Sequence, residues 1–513
     1  MNKSNLIKGT IVLTIAGLLT RVIGFFYRIF LSNAMGAELL GIYQLIFPVY
    51  GTCFTIYASG LQTSISRMVA AHAGKGNYKN VSRILKVGVL ISFSLALILS
   101  ILVYLNAGEL ARNFLKEPRT ESSLRILSYV FPFCGITACI NGYYYGLRKT
   151  TVPATTQLLE QIVRVIFVYF IVVLLGKDDI EITCVLAAYG LVLGEVASSV
   201  YNMLSMFVSK SPKKLICSVR NCSEFTQNTK IISKELIELT LPLTANRLLL
   251  NILHSFEAIL IPLLLRRYGM DSKESLSLFG ILNGMVMPFL MFPSAITNAL
   301  AVLLLPTISE AQALGNEKQI ASSTSLSIKY SLIIGIFSTG IFLLFGGHLG
   351  TVVYHNETAG EFMRLLAMLC PFLYLTTTLS SVINGLGKAH ITFFNSVIGM
   401  VLRIFLMVTL VPKQGSMGYI YSLIISQILI TLLDGRVIAK ETHFKFDSKN
   451  SLTKPFIIIL MSGIVMQKVY EFLAETVSVT QTVLLLCCCM VLCVIFVGFM
   501  FVWKAMSRKE FMR

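Results

Sequence analysis

Long apolar runs recur along the whole chain, separated by short polar segments rich in lysine and arginine. A helix that spans a bilayer needs about 20 consecutive apolar residues, and each run approaches or exceeds that length. The runs are continuously apolar instead of alternating, which argues against a β-barrel. The pattern predicts an all-α, polytopic membrane protein with fourteen transmembrane helices. We expect them near residues 6–31, 39–63, 84–105, 124–146, 152–176, 182–208, 235–264, 276–304, 326–346, 362–384, 391–411, 417–438, 455–474 and 481–503.

The composition excludes an ordinary soluble protein. Of the 513 residues, 55% are apolar and 13% are charged, and the mean hydropathy is +0.76. In a soluble domain about a quarter of the residues are charged. The net charge of +18 does not indicate a nucleic-acid partner, because the positive residues lie in short loops between apolar runs. The first run continues past Arg21 without a small-residue cleavage site, so we interpret it as a span and not as a signal peptide.

The lysines and arginines are distributed asymmetrically, and this predicts the orientation. The two termini and the loops on their side of the membrane carry 27 of the 43, whereas the opposite loops carry 9. Cytoplasmic loops are enriched in lysine and arginine. We therefore expect a multi-pass protein of the cell membrane with both termini in the cytoplasm.

Candidate catalytic and metal-binding groups are sparse. Most of the eleven cysteines sit inside apolar runs, and Cys217 and Cys222 lack the spacing and partner ligands of a zinc site. A membrane enzyme such as a glycan polymerase or ligase would need catalytic groups in an outer loop. The outer loops are short, and Asp178-Asp179 is their only adjacent acidic pair. We expect no enzymatic activity, no metal and no cofactor.

The second half of the chain repeats the first at an offset of 239 residues. Nine of the forty positions from 125 to 164 are identical at this offset without a gap, and Gly76-Asn77 also matches Gly315-Asn316. Six spans separate the matched helices, so the two repeats are parallel, which is a standard transporter architecture. The matched positions include Arg125 with Arg364, Pro132-Phe133 with Pro371-Phe372, Gly146-Leu147 with Gly385-Leu386, and Arg164 with Arg403.

The repeat predicts two parallel lobes of six helices each. We assign residues 1–208 to the N-terminal lobe, 209–234 to a basic cytoplasmic linker and 235–440 to the C-terminal lobe. Residues 441–513 then hold helices 13 and 14 and a cytoplasmic tail, outside the duplication. Pro48, Pro288 and Pro293 break helical hydrogen bonds in the second helix of each lobe, and the kinks they predict suit helices that bend.

Charged residues inside the membrane each need an explanation, because one near the bilayer centre costs at least about 2.5 kcal/mol. Each lobe carries an arginine on its fifth helix and an acid on its sixth, and at the same offset Glu195 matches Asp434. We interpret them as structural ion pairs within each lobe, Arg164 with Glu195 and Arg403 with Asp434. Glu160, one turn before Arg164, is a second candidate partner. The alternative is that these charges line a transport path.

The first helix of each lobe carries polar groups, most of which the repeat does not preserve. Arg21 and Arg28 lie seven residues apart, on one face of the first helix, and no acid lies in that span. Helix 7 carries Arg247, Asn251, His254 and Glu257, of which the first three follow helical spacing. We expect these residues to line a cationic cavity, because clustered arginines hold diphosphate oxygens through bidentate bonds.

Two structural interpretations of these residues stay open. Glu257 could pair with Arg28 as a gate, and Arg28 could extend to the membrane interface. Arg67, at the cytoplasmic end of the second helix, could assist the approach of a substrate or be only a positive-inside charge.

Short motifs of one family occur in order from the first residues to about residue 440. They are Leu6-Ile7-Lys8-Gly9-Thr10, Ala16-Gly17, Thr20-Arg21, Gly24-Phe25, Arg28, Leu159-Glu160-Gln161-Ile162-Val163-Arg164, Gly194-Glu195, Leu241-Pro242, Arg247, Phe256-Glu257 and Ile308-Ser309-Glu310. In these motifs the chain resembles the stage V sporulation protein B family. That family belongs to the multidrug/oligosaccharidyl-lipid/polysaccharide (MOP) flippase superfamily, which also holds lipid II flippases and polysaccharide exporters.

The resemblance implies a fourteen-helix, two-lobed flippase. It would move a polyprenyl-diphosphate-linked glycan, lipid II above all, from the inner to the outer leaflet for spore cortex synthesis. Peptidoglycan synthesis proteins are possible partners. In lipid II flippases, arginines of the first helix of each lobe line a cationic cavity, and Arg21, Arg28 and Arg247 match that placement. The last two helices form a groove for the lipid tail there, and the spans near 455–474 and 481–503 match them by position.

Other functions fit the same architecture less well. A cation-coupled drug exporter would need acids in its cavity, whereas the first helices of the two lobes hold three arginines and one glutamate. A flippase for teichoic-acid or capsular precursors would have the same charges as one for lipid II. Membrane arginines without a nearby acid argue against a non-transporting scaffold.

Overall fold

A computed structural model describes the backbone of residues 3–175, 180–208, 222–444, 446–476 and 480–506. It describes the side chains of residues 12–174, 184–208, 229–444, 446–476 and 480–506. All regular elements within these ranges are helices, which confirms the predicted all-α class. The chain divides into two compact units, Met1–Leu263 and Leu264–Arg513.

The helices of the first unit follow one another with short connections. They are α1 (Lys3–Leu45), α2 (Phe47–Phe54), α3 (Gly60–Gly74), α4 (Tyr78–Leu105), α5 (Ala107–Glu109), α6 (Glu121–Ser128), α7 (Val130–Gly146), α8 (Thr151–Leu175), α9 (Ile180–Val208) and most of α10 (Cys222–Tyr268). A π-helical segment, Thr55–Ser59, joins α2 to α3. Gly36 interrupts α1 with a φ of 74°.

The second unit continues from the end of α10. Its helices are α11 (Ser272–Gly280), α12 (Met287–Met291), α13 (Ser294–Ala313), α14 (Glu317–Tyr354), α15 (Glu357–Leu366), α16 (Cys370–Gly385), α17 (Ala389–Gln414), α18 (Ser416–Thr442), α19 (Lys454–Thr476) and α20 (Gln481–Val502). The boundary between the units falls inside α10, after the predicted linker. Residues 209–221 of that linker lie outside the described residues, and the assignment of the two lobes stays a prediction.

The described helices confirm a multi-pass membrane protein. Thirteen of them are long and apolar enough to cross a membrane, and the bent pair Pro118–Ser128 with Val130–Gly146 brings the number to fourteen. The first two predicted spans merge into one long segment, Val12–Gly74. The predicted span at 276–304 is two helical segments, Ser272–Met291 and Ser294–Ala313, separated at Phe292-Pro293.

The prolines explain where the second helices break. Pro48 lies in the first turn of α2, and Pro288 lies in the first turn of α12. At these positions the missing N–H of proline costs no helical hydrogen bond. Pro293 lies directly before α13 and so marks the break at which that span divides.

The repeat is visible in how helices begin. Gly76 and Gly315, which match at the offset of 239, both have left-handed backbones, with φ of 71° and 64°. The next residue, an asparagine in both units, caps the following helix by accepting a hydrogen bond from the backbone N–H three residues later. The distance is 3.2 Å in Asn77 and 3.1 Å in Asn316. The same two-residue device therefore starts α4 and α14, as asparagine is among the best N-caps.

The repeat is also visible in how helices pack. A Cβ on Gly146 would lie 2.7 Å from the carbonyl oxygen of Ser66, and one on Gly385 would lie 3.1 Å from that of Leu305. Ser66 and Leu305 are themselves 239 residues apart, so α7 crosses α3 at the same place where α16 crosses α13. Glycine is needed at both positions because the backbones approach too closely for a side chain. The internal repeat found in the sequence is therefore present in the packing of the two units.

The last two helices pack on the second unit through α14. Gly340 of α14 faces Ile459 of α19, and Gly463 of α19 faces Leu344 of α14. Phe337 of α14 contacts Phe496 of α20, with ring centroids 4.8 Å apart. The described contacts thus place α19 and α20 beside one helix of the repeat, as helices added to it.

Candidate functional site

The polar stripe of α10 lies against the second helix of the chain. Arg247 donates from Nη1 to both the carbonyl oxygen and the hydroxyl of Ser59, at 2.7 and 2.6 Å. Ser59 ends the π-helical segment Thr55–Ser59, and such segments occur often at functional sites. The guanidinium stays exposed, so it is anchored at one nitrogen and accessible at others.

The stripe continues toward the end of α10 with helical spacing. Asn251 donates to the hydroxyl of Thr55 and, at 3.5 Å, to the carbonyl oxygen of Gly51. Ser255, one turn further, donates to the carbonyl oxygen of Pro48 at 3.2 Å and lies 3.3 Å from the hydroxyl of Thr52. Sequence reasoning found Arg247 and Asn251 but missed Ser255 and all the residues that face them.

The contact between the two helices extends toward the start of α3. A Cβ on Gly60 would lie 3.2 Å from the carbonyl oxygen of Thr240, and the hydroxyl of Thr244 occupies the space where that Cβ would stand. Small residues at such a crossing let two membrane helices approach closely. The polar stripe of α10 is therefore packed in register with α2 and α3 over several turns.

His254 and Glu257 form a separate pair on α10. His254 Nδ1 lies 3.6 Å from Glu257 Oε2, with the histidine exposed and the glutamate buried. A three-residue spacing brings the two side chains to the same face of the helix. On its own helix, Glu257 thus pairs with His254, which the sequence analysis had assigned to the same group of polar residues.

The side of α1 that carries Gly24 packs against the fifth span. Gly24 lies on the same side of α1 as Arg21 and Arg28, three residues after the first and four before the second. A Cβ on Gly24 would lie 3.0 Å from Nε2 of Gln161, so this face of α1 packs against α8. Both arginines are exposed, as is Arg67 in the middle of α3. The described hydrogen bonds of Arg247 go to Ser59 and do not join it to the α1 arginines.

The ion pair on α8 lies within that helix. Arg164 pairs with Glu160, one turn earlier, and its Nη1 donates to Gln161 Oε1 at 3.2 Å. The carboxylate of Glu195 accepts instead from the thiol of Cys134 at 3.7 Å and from the hydroxyl of Ser198 at 3.4 Å. Of the two partners considered for Arg164, the described ion pair is with Glu160.

In the second unit the buried arginine and the buried acid have other hydrogen-bond partners. Arg403 Nε donates to the hydroxyl of Ser426 at 2.8 Å. Asp434 accepts from Asn395 Nδ2 at 2.7 Å and from Ser380 Oγ at 3.2 Å, so each carboxylate oxygen meets a neutral donor. Among the described contacts, the expected pairing of Arg403 with Asp434 does not appear.

A change of register explains this difference. Gly194 of α9 packs on the carbonyl oxygen of Glu160, whereas Gly399, the repeat mate of Glu160, packs on Ser426 and Ile430. At a constant offset of 239, the mate of Gly194 would be Leu433. The residue that occupies its place is Ser426, seven residues earlier. The sixth helices of the two units therefore match at an offset of 232, not 239.

The shifted register gives Asp434 a different mate. At an offset of 232, Asp434 matches Asn202, and not Glu195. Asn202 accepts from Thr156 at 2.8 Å and donates to Asn141 at 3.4 Å. Those two residues are the mates of Asn395 and Ser380 at the original offset. The two units thus build the same three-helix polar contact, with an amide in one and a carboxylate in the other.

Within the described ranges, no group of three or more His, Cys, Asp or Glu side chains is arranged to hold a metal ion. The described cysteines are free, and most are buried in helices. Cys217 and Asp178-Asp179 lie outside the described residues.

Comparisons with known proteins agree with this architecture. The family model described as "Polysaccharide biosynthesis protein" matches residues 6–312, and the MatE model matches residues 248–409. The chain is 28% identical to "Stage V sporulation protein B" of Bacillus subtilis (strain 168), over 92% of this chain and 91% of that protein. It is 23% identical to "Lipid II flippase MurJ" of the same organism, over 90% of this chain and 87% of that protein.

Solved structures share the fold. "Lipid II flippase MurJ, inward closed conformation" superposes with a TM-score of 0.67 and 16% identity, covering 98% of this chain and 100% of that one. An inward-facing multidrug resistance MATE family transporter of the MOP superfamily superposes with a TM-score of 0.64 and 16% identity, covering 84% and 98%. The MurJ proteins among these relatives are named as lipid II flippases, and the MATE protein is named as a multidrug resistance transporter. The chain is a membrane protein of the polysaccharide biosynthesis protein family.

Proposed function

We propose that this chain moves lipid II, a polyprenyl-diphosphate-linked glycan, from the cytoplasmic to the outer leaflet by alternating access. The observation that carries the proposal is the exposed guanidinium of Arg247, anchored on Ser59 in the middle of a membrane helix. The charge asymmetry of the loops supports placing both termini in the cytoplasm, so that the substrate enters from that side. Peptidoglycan synthesis proteins are the partners that this function calls for.

The chemistry of the arginines matches a diphosphate. An arginine is always protonated and presents a planar set of donors that binds two phosphate oxygens at once. Arg21, Arg28 and Arg247 are all exposed, and all lie in membrane helices. A charged side chain at this depth is costly, and such residues mark transport paths more often than packing. A diphosphate group would offset that cost by neutralising them.

The anchor on Ser59 suits a residue that binds and releases its ligand. A hydrogen bond from an arginine to neutral oxygens is weaker than one to a phosphate, because the phosphate adds charge. Arg247 can therefore exchange Ser59 for a diphosphate oxygen and return to Ser59 after release. The membrane potential would contribute about 2.3 kcal/mol per elementary charge per 100 mV if net charge moves with the substrate.

The test is translocation of fluorescent lipid II in proteoliposomes. The wild-type protein is compared with Arg21→Ala, Arg247→Ala and Arg112→Ala, the last being a matched surface arginine with an exposed side chain. We expect movement by the wild type and by Arg112→Ala, and at least tenfold slower movement by the other two. Thermal unfolding in detergent checks that all three variants are folded.

The outcomes separate the function from the site. If lipid II moves equally well in all variants, the arginine site is wrong and the activity stands. If the wild type does not move lipid II, the proposed substrate is wrong, and teichoic-acid and capsular lipid precursors are tested next. Transport of cationic drugs by the wild type, coupled to a cation gradient, would favour a multidrug exporter on the same fold.

A further inference from the structure

A second polar group adjoins the arginines of α1. It consists of Glu160, Gln161 and Arg164 on α8, and we call it the α8 triad. Gly24 lies between Arg21 and Arg28 on one face of α1, and its missing side chain leaves room for Gln161, whose Nε2 would be 3.0 Å from a Cβ there. The triad therefore borders the face of α1 that carries both arginines.

The three side chains of the triad are joined to one another. Arg164 pairs with Glu160 and donates to Gln161 Oε1 at 3.2 Å. Gln161 is buried, whereas the side chain of Glu160 remains 23% exposed and that of Arg164 15% exposed. Glu160 is thus fixed in direction and still accessible.

The repeat shows that the fold does not require this group. The mates of Glu160, Gln161 and Arg164 in the second unit are Gly399, Met400 and Arg403. Only the arginine is common to both, and Arg403 is buried and hydrogen bonded to Ser426. The acid and the amide are therefore features of the first unit alone.

Glu160 adds a kind of hydrogen bonding that the arginines lack. Guanidinium groups are donors without acceptor atoms, and they match phosphate oxygens. A carboxylate supplies only acceptors, which match the hydroxyl and N-acetyl N–H groups of a sugar. Because Arg164 neutralises Glu160, the carboxylate can stand near a diphosphate site without adding net negative charge there. The pair thus complements a ligand that has a diphosphate and a sugar side by side.

We propose that the α8 triad is the subsite that recognises the sugar attached to the diphosphate. Glu160 accepts hydrogen bonds from sugar hydroxyl or N–H groups, Arg164 orients Glu160, and Gln161 is a positioning residue that holds Arg164. This rests on the proposed function of the chain. A site built to hydrogen bond a substrate group discriminates strongly against an analogue that lacks the group. The triad would therefore select the glycan-linked lipid over the bare polyprenyl diphosphate.

The experiment measures binding of two probes to the full-length protein in nanodiscs, bare undecaprenyl diphosphate and lipid II. The wild type is compared with Glu160→Gln, with Gln161→Met, which installs the residue of the second unit, and with the control Glu195→Gln. The control removes a neighbouring acid that is held by Cys134 and Ser198. We expect the wild type to bind lipid II at least tenfold more tightly than the bare lipid.

The variants should change the ratio of the two affinities in a particular direction. In Glu160→Gln we expect lipid II to lose its advantage, while the bare diphosphate binds as well as before or better, since Arg164 has lost its counter-charge. Gln161→Met should reduce the ratio partly, and Glu195→Gln should leave it unchanged. Damage to the fold would weaken both probes together and would not produce this pattern.

Three results would overturn the proposal. Equal binding of both probes by the wild type, or an unchanged ratio in Glu160→Gln, would show that the triad does not recognise sugar. A parallel loss of both probes in Glu160→Gln would assign the triad to structure or to the diphosphate. If the wild type binds neither probe, the proposed function itself is wrong. This result is distinguishable from the three results that would overturn only the role of the triad.

Discussion

Arg247 of α10 donates one nitrogen to both the carbonyl and the hydroxyl oxygen of Ser59, across two helices that the sequence places almost 190 residues apart. The contact holds a membrane arginine in a fixed position while the rest of its guanidinium stays accessible. It also links α10 to the π-helical segment between α2 and α3, within the first unit. The position of this arginine, therefore, depends on a residue with no charge of its own.

Removing the hydroxyl of Ser59 should make Arg247 easier to recruit. In Ser59→Ala the carbonyl contact at 2.7 Å remains, and the hydroxyl contact at 2.6 Å is lost. A hydrogen bond to a charged group contributes about 1.5–3 kcal/mol, so its loss removes a competitor of the phosphate. We expect several-fold tighter binding of bare undecaprenyl diphosphate, measured in nanodiscs. Weaker binding would mean that Ser59 itself contacts the ligand. Thr409→Ala, whose hydroxyl donates to backbone carbonyl oxygens of its own helix, serves as a control.

The two repeat-mate glycines should be equally intolerant of a side chain. Gly146→Ala would press on Ser66, and Gly385→Ala on Ile308, with the new Cβ at 2.7 and 2.8 Å. Overpacking of this kind costs about 1–3 kcal/mol. We expect both variants to unfold at clearly lower temperature in detergent. Gly435→Ala, where nothing lies within 4 Å, should be neutral or slightly stabilised, and a similar loss there would refute the packing argument.

Asp434 should tolerate replacement by its mate in the other unit. Its oxygens accept from Asn395 and Ser380, and Asn202 fills the same place with an amide. We expect Asp434→Asn to change the free energy of unfolding by less than about 1 kcal/mol, because the amide can still accept from one neighbour and donate to the other. Asp434→Leu should cost about 1–3 kcal/mol, because it leaves the buried amide of Asn395 without this partner. Equal effects of the two changes would contradict the assignment.

The π-helical segment Lys449–Thr453, which leads into α19, should depend on pH through Asp447. Asp447 accepts from the side chain of Asn450 at 2.5 Å and from its backbone N–H at 3.1 Å. These hydrogen bonds, helped by nearby lysines, hold the pKa of Asp447 below its usual value. A carboxyl with a lowered pKa stabilises the fold above its ordinary pKa of about 3.9, and the effect is lost as the pH falls through the lowered value.

Amide hydrogen exchange measures this effect directly. Protection of the backbone at residues 449–453, corrected for intrinsic exchange, should fall when the pH drops below about 4. Asp447→Asn should have protection that does not vary with pH over this range. A pH dependence that persists in Asp447→Asn would assign the effect to another group.

The architecture could be predicted from the sequence because the length of each apolar run and the spacing of repeated residues can be read along the chain. The spans, the parallel repeat and the pairing of Gly146 with Gly385 all follow from positions that can be counted along the chain. The repeat was detected from few identities, and the structure shows why those persisted. Gly76-Asn77 and Gly315-Asn316 build the same helix start, and the glycines of α7 and α16 sit at the same close crossing.

The sequence was insufficient wherever a partner lies on another helix. Ser59 and Thr55 have no feature that marks them, because serine and threonine are common in membrane helices and only the partner gives them a role. Ser255 could have been found by extending the spacing of Arg247 and Asn251 by one more turn. Gln161 could have been noticed only by knowing that Gly24 leaves room for it.

The pair of Arg164 with Glu160 is among the described contacts, whereas the expected pairs with Glu195 and Asp434 are not. The constant offset led to the expected pair with Asp434. Aligning Glu195 with Asp434 assumed that no residues were gained or lost between the fifth and sixth helices. In the second unit Gly415 alone separates α17 from α18, whereas in the first unit the corresponding connection includes residues 176–179, which lie outside the described residues. A single offset carried past this connection pairs the wrong acids.

The change of seven residues before α18 has an evolutionary consequence. Seven residues turn an α-helix by nearly two full turns, so the packing face rotates by only about 20°. The same seven residues displace every side chain along the helix by about 10 Å. An insertion or deletion of this length can therefore carry a polar group from one depth of the bilayer to another while its helix keeps its neighbours. In a duplicated membrane protein, an insertion or deletion of seven residues can therefore change the depth of a charged group in the membrane. The contacts between its helices are kept.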